Sequence, residues 1–142
     1  MEVTVCVLTI GILAAVAAPK FVDSVDRHRV AAAAARIKTD LSWARQQAMS
    51  GSATITVQFN LNTSSFSIPE LKDPNHPGQP YVVDLTMHPY DTNVVSADFG
   101  GDSQLLYSRF GRPDSEGSVV LQSGNYRQSV SVDADYGAAS IP

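Results

Sequence analysis

The sequence is poor in the residues from which reactive and metal-binding sites are built. Its 142 residues include one cysteine, three histidines and one tryptophan. A single Cys6 excludes a disulfide, a cysteine-rich zinc site or a redox pair within one chain. It lies inside an apolar run and reads there as a small hydrophobe. His28, His76 and His88 are far apart and share no metal-ligand spacing, so no metal is expected. No nucleophile–base pair stands out, and neither catalytic residues nor a cofactor are expected. Asp98-Phe99-Gly100 copies a kinase triplet without the glycine-rich loop or catalytic loop that give it meaning. Asp98 and Asp102 flank two glycines, but the twelve-residue calcium-loop pattern is missing and the stretch reads as a turn.

Charge is sparse at the front and divided behind it. Residues 20–50 carry six cations against three acids, net +3, whereas residues 51–142 carry four cations against ten acids, net −6. With Glu2 the total is −4. The acidic second part argues against a large nucleic-acid footprint.

One long apolar run is present, at the start. From Val3 to Ala18 there is no charge, and eight of sixteen residues are Val, Leu or Ile. Together these contribute roughly −2.5 to −5 kcal/mol toward membrane insertion. The run is slightly shorter than the ~17–25 residues of a full span. Ala15-Val16-Ala17 has the look of a signal-peptide cleavage site, but the first charge is acidic and Pro19 follows where the cut would need an accommodating residue. A buried core helix is the other rival, and this chain has little protein to wrap one. The positive flank after the run would by itself be placed on the cytoplasmic side.

Beyond Pro19, which a helix in a membrane tolerates with a bend, the period stays helical. Val30, Ala33, Ala34, Ile37, Leu41, Ala44 and Ala48 recur at three- and four-residue steps, with Arg36, Lys38, Asp40 and Arg45 largely off that stripe. Gly51 reads as the stop. One helix of about fifty residues is predicted, apolar all round in front and amphipathic behind. Trp43, off the stripe, is expected to cover a sheet edge.

After Gly51 the period becomes two. Ala53, Ile55, Val57 and Phe59 alternate with polar residues, Asn60 to Thr63 reads as a hairpin loop, and Phe66 and Ile68 resume the alternation. Three prolines between Asp73 and Pro80 mark a surface loop. Further strands are expected over 81–87, 93–97, 104–110, 118–122, 126–132 and 138–141. The fold class is therefore α+β, a long N-terminal helix on an antiparallel sheet or sandwich. The expected divisions are 1–20 for the apolar half-helix, 21–50 for the amphipathic half and 51–142 for the β-domain.

Glu2, then Gly11-Ile12-Leu13-Ala14-Ala15-Val16-Ala17-Ala18-Pro19-Lys20-Phe21, resembles the N-terminal segment of type IV pilins and type II secretion pseudopilins. Two later stretches, Asp40-Leu41-Ser42-Trp43-Ala44-Arg45-Gln46-Gln47-Ala48 and Tyr107-Ser108-Arg109-Phe110-Gly111-Arg112, resemble the GspH/FimT subgroup of minor pilins. Most of the chain is covered in this way.

The resemblance implies a structural, non-enzymatic subunit of a type II secretion pseudopilus or a type IV pilus. Its partners would be other pilin or pseudopilin subunits and the inner membrane, with a prepilin peptidase acting on the precursor. The β-domain would lie in the periplasm or outside the cell. Glu2 would set register by pairing with a neighbour's N-terminal amine, since a lone buried carboxylate costs several kcal/mol. Gly11 and Pro19 would soften the helix, and Ile12, Leu13 and Val16 would pack against neighbours. The family's leader and first mature residues are expected ahead of Met1, so the start is expected to be truncated or misassigned. The alternative is a DNA- or surface-binding minor pilin, with Arg109, Arg112 and Arg127 as its candidate contacts. DNA is disfavoured, because Gly137 is followed by Ala138, Ala139 and Ser140 where the DNA-binding members carry basic residues, and Asp133 and Asp135 lie nearby.

Overall fold

The computed structural model describes residues 2–142, and the expectation concerning Met1 lies outside them. A single helix α1 runs Glu2–Ser50, 49 residues, and continues through Pro19. Its second half buries all seven stripe residues, Val30, Ala33, Ala34, Ile37, Leu41, Ala44 and Ala48. Asp40 is buried as well, against the expectation that it lay off the stripe. It sits three residues after Ile37 and four before Ala44, so helical geometry places it on the packed face. At the C-terminus Gly51 donates its N–H to the Gln47 carbonyl at 2.9 Å, and the left-handed position falls on Ser52 rather than on the glycine.

Eight strands follow: β1 Ile55–Asn60, β2 Ser65–Lys72, β3 Pro80–Asp84, β4 Asn93–Phe99, β5 Gln104–Tyr107, β6 Gly117–Ser123, β7 Tyr126–Val132 and β8 Ala139–Ser140. They form two four-stranded antiparallel sheets, ordered β3-β2-β1-β5 and β4-β6-β7-β8. The α+β reading of the sequence is the observed one, with several strand ends moved, two of them by three residues. The 81–87 strand stops at Asp84, whose Oδ1 accepts both the N–H and the hydroxyl of Thr86 and turns the chain. The 104–110 strand stops at Tyr107, because Ser108 and Arg112 close a tight loop through a 2.8 Å bond from the Ser108 N–H to the Arg112 carbonyl. Strand β2 continues through Pro69, where the register against β3 shifts between Ile68 and Lys72. A proline supplies no ladder donor, so an irregularity is its natural place in a sheet.

The helix lies across both sheets, touching β1 and β5 of one and β6, β7 and β8 of the other. Ile55, Val57 and Phe59 point into the core while Thr56 and Gln58 point outward, as the period-two pattern requires. Phe59 of the first sheet stacks on Phe99 of the second with centroids 5.6 Å apart. Trp43 meets the edge strand β3 through an edge-on contact with Tyr81 at 5.1 Å, in the place expected of it.

Candidate functional site: an uncovered helix anchored to a beta domain

The front half of α1 is exposed from Glu2 to Ser24. Ten large apolar side chains between Val3 and Val22 are more than half exposed, among them Ile12, Leu13 and Val16. A fully exposed side chain of this kind contributes about 1.5–3 kcal/mol on burial, and since these ten are roughly two-thirds exposed their cover is worth roughly 10–20 kcal/mol to whatever supplies it. By length and composition this is a helix able to cross a membrane. Thr9 fits such surroundings, since its hydroxyl donates to the Val5 carbonyl at 2.8 Å and needs no outside partner. Glu2 is exposed at the far end, and Gly11 has open space around its Cα.

The second half is fixed to the β-domain at three levels. At the first, Arg29 reaches Asp26 at 3.5 Å and Asp91 at 3.4 Å, while the Ser123 hydroxyl donates to Asp26 Oδ1 and the Asp91 carbonyl. Gly124 of the β6–β7 turn, at φ 58°, sits so close to Asp26 that a Cβ there would enter the carboxylate. Arg27 lies over the Tyr126 ring at 4.9 Å.

The second level is a buried polar contact. Arg36 Nε donates to Asp40 Oδ2 at 3.0 Å, the Tyr81 hydroxyl donates to the same oxygen at 2.9 Å, and Arg36 also donates to that hydroxyl. Burial disfavours the Arg36 cation, yet the bonds to Tyr81 and Asp40 and the Asp40 charge outweigh it and raise its pKa. Burial pushes Tyr81 up to about 12, with the neighbouring carboxylate adding to the effect against the opposing pull of Arg36. At the third level, Arg45 Nε donates to the Gly111 carbonyl at 2.9 Å and Met49 lies over Gly111, whose φ is +77°. The Tyr107 hydroxyl donates to the Gly137 carbonyl, and burial raises the pKa of that phenol too.

The candidate basic residues do not form one patch. Arg109 and Arg112 flank Gly111, beside Arg45 and Met49, and Arg109 lies over the Phe110 ring at 5.3 Å. Arg127 bonds Gln122 next to the β6–β7 turn that sits on Asp26. The nineteen residues of helix between Asp26 and Arg45 span roughly 28 Å at 1.5 Å per residue, so Arg127 stands apart from the other two. Of the histidines, His76 bonds Asp73 at 3.0 Å and His88 lies 3.8 Å from Asp91. The bond from His76 and the Asn75 N–H hold the Asp73 carboxyl below its ordinary pKa. Asp98 and Asp102 each accept a backbone N–H in the turn around Gly100 and Gly101. Among the described residues no group of three or more His, Cys, Asp or Glu is placed to hold a metal.

Sequence reasoning missed the anchors. Asp40 was readable from its spacing; the contacts of Asp26, Asp91, Ser123 and Gly124 join residues 32 to 98 positions apart and left no local signal.

Comparison with solved structures gives the same architecture. The minor pilin FimU of Pseudomonas aeruginosa matches over 82% of this chain and 90% of its own, with 15% identity and a TM-score of 0.62. The minor pseudopilin EpsH from the type 2 secretion system of Vibrio cholerae matches over 80% of this chain and 96% of its own, with 10% identity and a TM-score of 0.58. At such identities the likeness shows the fold alone. A search of curated protein sequences finds no match. A family profile described as type II transport protein GspH matches residues 33–135, from the packed half of the helix through seven of the eight strands. The chain belongs to the GspH family of pilin-like proteins and is a structural, membrane-anchored subunit of the pilus or pseudopilus type.

Proposed function

We propose that the chain is a minor subunit whose apolar half-helix, residues 1–20, lies in the inner membrane before assembly and in the filament core afterwards. Residues 21–50 carry the β-domain of residues 51–142 on the periplasmic or extracellular side. The role is mechanical, priming or extending a secretion pseudopilus or a type IV pilus, with no reaction catalysed and no cofactor used. The observation that carries this reading is the contrast within one helix: ten uncovered apolar side chains in front, three levels of anchoring behind. A prepilin peptidase would act on the precursor.

Within that reading Glu2 sets register between neighbouring subunits. Gly11 and Pro19 allow the helix to bend, and Ile12, Leu13 and Val16 pack against adjacent helices. Substituting Glu2→Ala is expected to leave the β-domain folded while abolishing incorporation into filaments. Normal filaments containing that variant would overturn the assignment. The DNA-binding alternative gains nothing from the geometry, since the candidate arginines are divided between two ends of the domain. A mobility shift at low salt, lost on changing Arg109 and Arg112 together, would revive it.

A further inference from the structure

The helix leaves its apolar run at Lys20 and meets the β6–β7 turn at Asp26 and Arg27. Between these points lies a hollow of about 260 Å³, lined by Lys20, Asp23, Ser24, Arg27 and Tyr126. Steps of three, four and seven residues put the four helix positions on one face. Lys20 and Arg27 are both exposed. Among the described residues neither takes part in a salt bridge, whereas Arg29 and Arg36 of the same helix do. Arg27 is positioned without being neutralised, since its guanidinium lies 4.9 Å over the Tyr126 ring and donates to that hydroxyl at 3.4 Å. Two cations against the Asp23 carboxylate leave the hollow with a net charge of +1.

The height of the hollow on the helix decides what surrounds it. The seven residues from Lys20 to Arg27 rise roughly 10 Å at 1.5 Å per residue. The headgroup layer on each side of a bilayer is roughly 5–8 Å deep, the difference between a core of roughly 30 Å and a whole of roughly 40–45 Å. With the uncharged run Val3–Ala18 in the core, the hollow opens into that layer. Tyr126 then stands at its watery edge, where a ring with one polar end is well placed. Lipid phosphate is concentrated at this depth, and ammonium and guanidinium groups are its natural donors. A net charge of +1 favours an anionic headgroup over a zwitterionic one, whose own ammonium cancels its phosphate. We infer, resting on the membrane reading above, that the hollow holds the phosphodiester headgroup of an anionic lipid. Its phosphate oxygens accept from Lys20 and Arg27, and a headgroup hydroxyl donates to Asp23. The β-domain is thereby seated on the bilayer surface at a fixed height.

The test uses the full chain reconstituted in phosphatidylcholine vesicles, with flotation of the vesicles to establish insertion. Spin-labelled phosphatidylglycerol and phosphatidylethanolamine then report, through the motionally restricted part of their spectra, which lipid stays beside the protein. Phosphatidylglycerol should be held about fivefold more strongly, the attraction of one net charge near a lipid surface. Lys20→Gln together with Arg27→Gln should bring the ratio to one or below. Lys38→Gln together with Lys72→Gln removes the same charge from exposed positions and should leave the ratio unchanged. Lys38 lies eighteen residues beyond Lys20, roughly 27 Å along the helix and more than three Debye lengths away at about 0.15 M salt. Trp43 emission checks that both double variants keep the fold of the parent chain. A ratio near one in the parent chain, an equal fall in both double variants, or loss of the preference on adding glycerol phosphate, which would mark a site for soluble phosphate, would overturn the inference and leave the subunit reading standing. A chain that does not float with the vesicles would overturn both.

Discussion

Replacing Tyr81 with Phe removes one oxygen and keeps the ring against Trp43. What changes is the Asp40 carboxylate, which retains Arg36 Nε at 3.0 Å and loses the hydroxyl donor at 2.9 Å while staying buried. A hydrogen bond to a charged group contributes about 1.5–3 kcal/mol. The Arg36 side chain, 39% exposed, recovers its own lost acceptor from water, so the loss falls on the carboxylate alone. The expected destabilisation is about 2 kcal/mol, which for a chain of this size lowers Tm by about 6–10 °C. Trp43 is the only tryptophan and lies 5.1 Å from Tyr81, so its emission reports this contact directly. Urea unfolding of the full chain in detergent micelles, followed by that emission, measures the change. A double-mutant cycle with Asp40→Asn should return a coupling energy of about 1–2 kcal/mol. A loss below about 0.5 kcal/mol with no coupling would refute the reasoning, since Asp40 would then be satisfied by water rather than by Tyr81.

Raising the pH tests the same contact from the other side. The Tyr81 phenol holds its proton more tightly folded, at about 12, than unfolded, near 10, so its contribution is complete below pH 10 and lost as pH rises through 12. The urea midpoint should fall over that window, and less so in Tyr81→Phe. Gly111→Val forces a β-branched residue into φ +77°, with its Cβ 2.7 Å from Met49 Sδ. It should destabilise the chain by about 2–4 kcal/mol and accelerate amide exchange in the 108–112 loop. Arg29→Ala removes the pairs with Asp26 and Asp91, which are only partly screened from water. Its effect on the urea midpoint should be about 0.5–1 kcal/mol at low salt and smaller at high salt.

The elements of this fold were legible wherever a face alternates between core and water. The stripe from Val30 to Ala48 and the alternation from Ile55 to Phe59 both place the buried side correctly, because burial of one face is what those periods encode. Two strand ends were not legible, since they are set by an aspartate-capped turn at Asp84 and a loop closed by Ser108 and Arg112. Order within the sheets was not legible either, because strand order depends on long-range pairing such as β1 with β5. Of the candidate site, the apolar residues Ile12, Leu13 and Val16 are exposed, and their packing against neighbouring helices is part of the proposal. Asp40 shows the opposite case: its spacing pointed inward and its charge pointed outward, and the charge prevailed in the reading although Arg36 and Tyr81 resolve the conflict.

The uncovered half-helix also raises a question of driving force that its hydrophobicity does not answer. On the proposed reading the helix moves from lipid to a filament core, and lipid tails are as apolar as leucine, so ten aliphatic and aromatic side chains gain little from the transfer. The balance then rests on packing and on the charged side chain of this segment, Glu2. A carboxylate within a bilayer is destabilised by several kcal/mol unless it finds a cation or donor. A filament neighbour that supplies one makes Glu2 favour the core over the membrane, while the modest hydrophobicity around it keeps the membrane state from being too deep a well. On this argument Glu2→Ala weakens assembly by stabilising the starting state as well as by losing a contact. Glu2→Gln, which also removes the charge but retains hydrogen-bonding groups, should recover part of the filament yield. Equal yields from the two variants would place the role of Glu2 in the ion pair alone.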